Sequence, residues 1–426
     1  MASHLTRALR HRNYRLFFAG QTVSLVGTWI TRIATSWLVY RLTHSVFLLG
    51  VVGFFGQIPT LLLAPFTGVL IDRWNRHRIL VVTQALAMLQ SVALAALTLA
   101  GRITVAEILA LQVVQGIINA FDTPARQTFV VEMVTERADL PNAIALNSSM
   151  VNASRIIGPS VGGVMIAAVG EGWCFALDAV SYLAVIASLL AMHLDTFSPP
   201  TTNTRMLDEL RTGFRYVTRF PPVRDSLLLL ALVATMGMPY TVLMPAIAAN
   251  VLHGGPHTLG YLMTAIGFGA LGGAFYLASR RSVLGLGRVM VAATFAFGAG
   301  LIAFSFSRAL WLSLILLPVV GAGMMVLMAS TNTILQTIVE DDMRGRVMSF
   351  YTMAFLGTAP LGSLLAGFAG GHIGPMNTVT LGGVSCSLGA AVFAARLPRL
   401  RAHVRPIYIE RGILAAAEIE GGSKSL

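Results

Sequence analysis

Charge is scarce in this chain and lysine nearly missing. Only 11% of the 426 residues are charged, and the one lysine is Lys424. Soluble domains carry roughly a quarter of their residues charged. Without lysine there is no phosphate-binding loop of the usual kind, which needs one directly after its glycines. Cysteine is also rare: Cys174 and Cys386 lie far apart, form no redox or metal motif, and read as packing residues. No His-Glu-x-x-His string occurs, no serine lies in a Gly-x-Ser-x-Gly elbow (Gly158-Pro-Ser-Val-Gly162 has the letters but sits inside an apolar helical segment), and Gly254-Gly255-Pro256 keeps His253 and His257 off a common helix. No catalytic residue, metal site or cofactor is expected, and the chain does not read as an enzyme.

What is present is apolar. Hydrophobic residues make up 55% of the chain and mean hydropathy is +0.74. Spread over the whole length, this predicts an all-α polytopic membrane protein. Twelve segments of about 20 mostly apolar residues fall between residues 14 and 397. The net charge of +12 lies in short clusters between them, which suits loops and lipid headgroups rather than nucleic acid. With the N-terminus inside, 25 basic residues fall on cytoplasmic segments and 3 on outer loops (Arg41, Arg102 and Arg308). That asymmetry predicts a cell-membrane protein with both termini cytoplasmic.

Residues 196–225 are the longest polar stretch between apolar runs. Leu207, Leu210, Phe214 and Val217 recur there at helical spacing, with Arg211, Arg215 and Arg219 on another face. The pattern predicts a basic amphipathic helix on the inner leaflet. It divides the chain into a six-helix bundle at 1–195, a linker at 196–225, a second six-helix bundle at 226–397 and a cytoplasmic tail at 398–426. The halves resemble each other. Leu49-Gly50 matches Leu259-Gly260 at an offset of 210, and Gln127-Thr-Phe-Val130 matches Gln336-Thr-Ile-Val339 at 209. A parallel repeat of six helices is a transporter architecture.

Charge inside the apolar segments marks the candidate site. Arg155 lies near the middle of the fifth segment and Arg32 deep in the first; such charges cost several kcal/mol unless they face partners or water. Asp122 and Asp178 lie in the fourth and sixth segments. Asp122 and Arg126, at i and i+4, also suit a static ion pair. Gly158-Pro159-Ser160-Val161-Gly162-Gly163 combines a helix-bending proline with small residues that admit a close neighbour. It predicts either a rocking interface or ordinary tight packing. Asp72, at the end of the second segment, opposes its own helix dipole and so calls for a partner elsewhere.

These strings resemble the major facilitator superfamily. Gly68-Val-Leu-Ile-Asp72-Arg73-Trp-Asn-Arg76-His-Arg78 is similar to that superfamily's loop motif between helices 2 and 3, and Gly158 to Gly163 to the fifth-helix motif of its drug–proton antiporters. Ala145 and Ser154 stand where that motif has upstream glycines. Leu9 to Phe18, Ala120 to Gln127, Asn152 to Pro159 and Arg344 to Ser349 look like the enterobactin-exporter branch, the transmembrane secretion effectors. Ser36 stands where many members carry an acid, so no first-helix proton carrier is carried over. The resemblance implies two bundles around a central cavity, alternating access, and export of a small molecule driven by the proton gradient; siderophores, macrolides and other amphipathic compounds are the branch's cargoes. It implies a conformational latch of Gly68, Asp72, Arg73 and Arg76 toward Arg126 or the start of helix 11 near Arg344 and Arg346. Substrate or proton coupling is expected at Arg32, Asp122, Arg155 and Asp178. An importer or facilitator of the same fold, or a non-transporting membrane sensor, is the alternative.

Overall fold

The computed structural model describes residues 6–193, 206–280 and 282–414, with all side chains among them except 64–65, 68–69, 72–73 and 206–210. The described residues form helices and short connections, with no strand. The first six long helices are α1 (Arg12–Thr43), α2 (Val46–Arg73), α3 (Arg76–Leu99), α4 (Val105–Met133), α5 (Leu140–Val169) and α6 (Glu171–Leu190). A short α7 (Met206–Arg219) follows. Then come α8 (Pro221–Val251), α9 (Pro256–Ser279), α10 (Leu286–Phe306), α11 (Leu310–Ile338), α12 (Asp341–Ile373) and α13 (Pro375–Glu410).

The connections explain why these helices start and stop where they do. Ser45, Asn75 and Thr104 cap α2, α3 and α4 with side-chain oxygens, and Glu107 completes a capping box at α4. Gly170 and Gly374, both at φ 85°, take a conformation that only glycine adopts without strain and turn the chain between α5 and α6 and between α12 and α13.

Ten of the long helices are apolar enough to cross a bilayer. The other two, α1 and α5, have the length at 32 and 30 residues but carry many polar side chains.

The chain divides into two compact units. Unit 1 holds Met1–Thr202 with Val242–Thr264 and Ser363–Gly371; unit 2 holds Asn203–Thr241, Ala265–Gly362 and His372–Leu426. The division falls inside α8, α9 and α12. In α8 and α12 it lies beside widened, π-type turns at Val233–Gly237 and Met353–Gly357. Pro239 and Pro360 follow those turns; each lacks a backbone N–H, so a carbonyl one turn back goes unbonded and the ladder shifts.

In unit 1, α1 packs on α5 and α6, α3 on α4 and α6, and α2 on α4. In unit 2, α13 packs on α8 and α10, and α10 on α11. The pairs α1–α6, α3–α6 and α3–α4 thus reappear as α8–α13, α10–α13 and α10–α11, which is what a parallel six-helix repeat requires.

The N-terminal string Leu9 to Phe18 is tied down locally. His11 meets Asp139 at 3.1 Å and Thr135 at 2.8 Å, and the Tyr14 hydroxyl donates to the Ala143 carbonyl at 2.8 Å.

The helix expected at the linker is present as α7, with Phe214 against Phe350 of α12 at a ring distance of 6.3 Å. Val217 is buried while Phe214 is 60% exposed, and Gly213 lies against Arg346 and Phe350 of α12. The helix therefore packs on protein through Gly213 and Val217, because glycine lets α12 approach where a larger side chain would hold it off. Leu207 and Leu210 have side chains outside the described residues. The last helix also continues past residue 397 to Glu410, through Pro398 and Pro406. Its apolar positions Phe393, Leu397, Leu400 and Tyr408 stay buried at helical spacing, and that stripe carries the helix past both prolines.

Candidate functional site

The polar helices α1 and α5 carry the site. Trp29 and Arg32 are three residues apart on α1 and share a face; the Arg32 guanidinium carbon lies 5.1 Å from the indole centroid. Arg155 reaches the same indole from α5, at 5.5 Å. Gly158 makes the approach possible. A Cβ there would stand 2.3 Å from the Trp29 Cβ and 3.1 Å from the Val26 carbonyl oxygen. Arg32 is exposed, and Trp29 and Arg155 are half-buried. Each cation gains about 0.5–2 kcal/mol from the ring face, but the two like charges bear on one another. An anionic group seated between them would relieve that repulsion. Among the described residues no ion pair involves Arg32. Two exposed or half-exposed charges at this depth call for water or polar partners.

Trp29 was not singled out in the sequence. The signal was there: an aromatic and an arginine three apart inside an apolar helix. Its second partner, Arg155, depends on how α5 crosses α1 and could not be read.

The two intramembrane carboxylates differ. Asp122 is 3% exposed and pairs with Arg126 one turn along α4. It also accepts from Thr83 at 3.1 Å and Gln84 at 2.7 Å on α3. Such a carboxylate has its charge compensated. Removing one partner of a buried pair costs about 3–5 kcal/mol, so Asp122→Ala should lower the thermal midpoint of the purified protein sharply. A wild-type midpoint with transport lost would instead make Asp122 a proton carrier.

Asp178 is 1% exposed and among the described residues forms no ion pair. Its partners are hydroxyls: Ser91 of α3 donates at 3.0 Å and Ser181 at 3.4 Å. Gly27 of α1 leaves room for it, since a Cβ there would lie 2.6 Å from the carboxylate oxygen. A buried acid with neutral donors alone gains or loses a proton without breaking a salt bridge.

The expected latch is only partly visible. The side chains of Gly68, Asp72 and Arg73 lie outside the described residues. Arg76 pairs with Glu132 at 2.6 Å, Arg126 with Asp122, and Arg344 with Asp341 at 2.5 Å. Arg346 donates to the Met343 sulfur at 3.3 Å.

The fifth-helix motif faces two ways. Gly158 and Gly162 receive Trp29 and Ile30 of α1; Gly163 receives α9. A Cβ on Gly163 would stand 2.8 Å from the Pro256 carbonyl oxygen and 2.9 Å from the Gly260 Cα. A second crossing of the same kind joins Gly50 of α2 to Gly367 of α12, where a Cβ on Gly50 would meet the Gly367 Cα at 2.7 Å. Gly50 and Gly260 are the two glycines matched across the repeat. Thr264 adds a hydrogen bond to the Ile156 carbonyl at 3.3 Å, and Asn250 one to the Tyr40 hydroxyl. All these residues belong to unit 1.

A family described as "Transmembrane secretion effector" matches residues 3–409. The chain belongs to that family. It is 26% identical to the staphyloferrin A transporter of Staphylococcus aureus, over 89% of this chain and 95% of that one. It is 28% identical to the multidrug efflux pump Tap of Mycolicibacterium fortuitum, over 91% and 95%. Among solved structures, the peptide transporter POT shares the fold at a TM-score of 0.73 and 12% identity, covering 92% of this chain and 95% of that one. The secretion effector described here is thus a multi-pass secondary transporter of the major facilitator type.

Proposed function

We propose that this secretion effector exports an amphipathic, acid-bearing small molecule across the cell membrane in exchange for protons. The observation that carries the reading is the Arg32–Trp29–Arg155 cluster on α1 and α5. The guanidiniums supply charge-assisted hydrogen bonds to a carboxylate or other oxyanion, and the indole supplies an apolar face. Exporting relatives support the direction. Asp178 is the proposed proton carrier, since hydroxyls alone hold it, and Asp122 with Arg126 is the proposed structural pair.

Both termini and residues 195–225 face the cytoplasm in this proposal, on the 25-to-3 distribution of basic residues. An impermeant thiol reagent should fail to label a cysteine placed at Ser198 in intact cells; ready labelling would reverse the orientation. In that orientation the two glycine crossings lie toward the outer face.

The experiment is an accumulation screen in an efflux-deficient host expressing the protein, with staphyloferrin A, a macrolide and a set of amphipathic acids. At least one compound should accumulate less than in cells lacking the protein, and an uncoupler should remove the difference. Greater accumulation on expression would make the protein an importer.

A further inference from the structure

Unit 2 carries an arginine-rimmed apolar pocket apart from the Arg32–Trp29–Arg155 cluster of unit 1. Its walls are Pro222 at the start of α8, Leu286 at the start of α10, and Phe393, Leu397, Leu400 and Tyr408 along α13. Arg401 and Arg405 of α13 stand in the same lining. The pocket holds about 70 Å³, several times what one water needs, and its mostly apolar walls offer water few hydrogen bonds. An apolar space of this kind takes hydrocarbon.

The pocket's depth says which hydrocarbon. α13 has 36 residues and is about 54 Å long at 1.5 Å per residue, while a bilayer's hydrocarbon core is about 30 Å. About 20 residues from Pro375 cross the core, so the helix enters the headgroup level near Phe393 and Leu397. Asp225 is bracketed by Arg224 at 2.9 Å and Arg396 at 3.4 Å. Arg288 lies close enough to Arg401 for their charges to repel. Arg401 and Arg405, one turn apart on α13, both line the pocket. Like charges held together over an apolar pocket complement a molecule with an anionic head and a long apolar chain.

We infer that this pocket binds an anionic phospholipid, with its phosphate between Arg401 and Arg405 and an acyl chain among Leu286, Phe393, Leu397 and Leu400. Basic pockets between membrane helices recognise anionic headgroups by this chemistry. The lipid clamps the extended end of α13 to the start of α8.

The test is native mass spectrometry of the full chain in detergent, with added phosphatidylglycerol or phosphatidylcholine. The wild type should retain phosphatidylglycerol. Arg401→Gln with Arg405→Gln should weaken retention about thirtyfold, about fivefold for each arginine, and leave phosphatidylcholine unchanged. Leu397→Trp fills the pocket with the arginines intact and should weaken retention as well. A chain ending at Leu414 should bind phosphatidylglycerol as the wild type does. Equal retention in the double-arginine variant, or in Leu397→Trp, would overturn the site. Displacement of the lipid by millimolar inorganic phosphate would make it a phosphate site instead. Retention gained only on removing residues 415–426, which include Glu418 and Glu420, would make the tail the occupant.

Discussion

Arg155→Ala abolishes transport while the protein still inserts and purifies: this is the largest effect expected of any single substitution. Arg155 touches the Trp29 ring from α5, so it is the group that joins the two polar helices at the proposed substrate contact. Truncating a charge that contacts a bound oxyanion costs about 2–5 kcal/mol, which is about thirtyfold to several thousandfold in rate. Arg155→Lys should recover part of the loss, because lysine keeps the charge but not the planar fork that stacks and binds in two places. Trp29→Ala should lower the rate less and should cost more for apolar-rich substrates. The measurement is initial transport rate, normalised to membrane-inserted protein. A wild-type rate in Arg155→Ala would return Arg155 to a structural role.

Gly260→Leu is the second large effect. The Gly260 Cβ would lie 2.7 Å from the Pro159 carbonyl oxygen and 3.0 Å from the Gly163 Cα. These are backbone atoms on a packed helix, so α5 and α9 must separate to admit the side chain. The conformation containing this crossing is then lost, and a transporter that must visit it stalls. Transport should fall at least tenfold with normal insertion, and Gly163→Leu and Gly50→Leu should behave alike. Gly272→Ala is the control on the same helix: a Cβ there meets nothing within 4 Å, and alanine is the better helix former by about 1 kcal/mol. Normal transport in Gly260→Leu would mean that the crossing is ordinary packing.

Much of this was legible in the chain because membrane helices declare themselves by length and composition. Ten of the twelve segments are apolar enough to be seen without a partner, and the repeat needed none either. The Leu-Gly match at residues 49–50 and 259–260 even landed on the two glycine crossings, since a position needing glycine in one repeat needs it in the other. The site was half legible. Arg32, Arg155, Asp122 and Asp178 stood out because charge in an apolar run is costly. Which acid is paired was open: Arg126 at i+4 favoured a pair with Asp122, yet Thr83 and Gln84 on α3 could not be foreseen. Nor could Trp29, whose role depends on a helix crossing. The end of α13 was read as tail because its arginines hid the apolar stripe from Phe393 to Tyr408. Phe214 stood on the apolar face by its spacing, but its partner on α12, Phe350, could not be read from spacing alone.

Proton-coupled export is tested most directly in everted membrane vesicles, using the compound returned by the accumulation screen. With the lumen made acidic, wild-type vesicles should take that compound up, and an uncoupler should bring its level back to equilibrium. Asp178→Asn should still bind the compound and exchange it down its own gradient, but should no longer concentrate it when the pH gradient is imposed. Concentrative uptake that survives the uncoupler, or that is as strong in Asp178→Asn as in the wild type, would contradict the account.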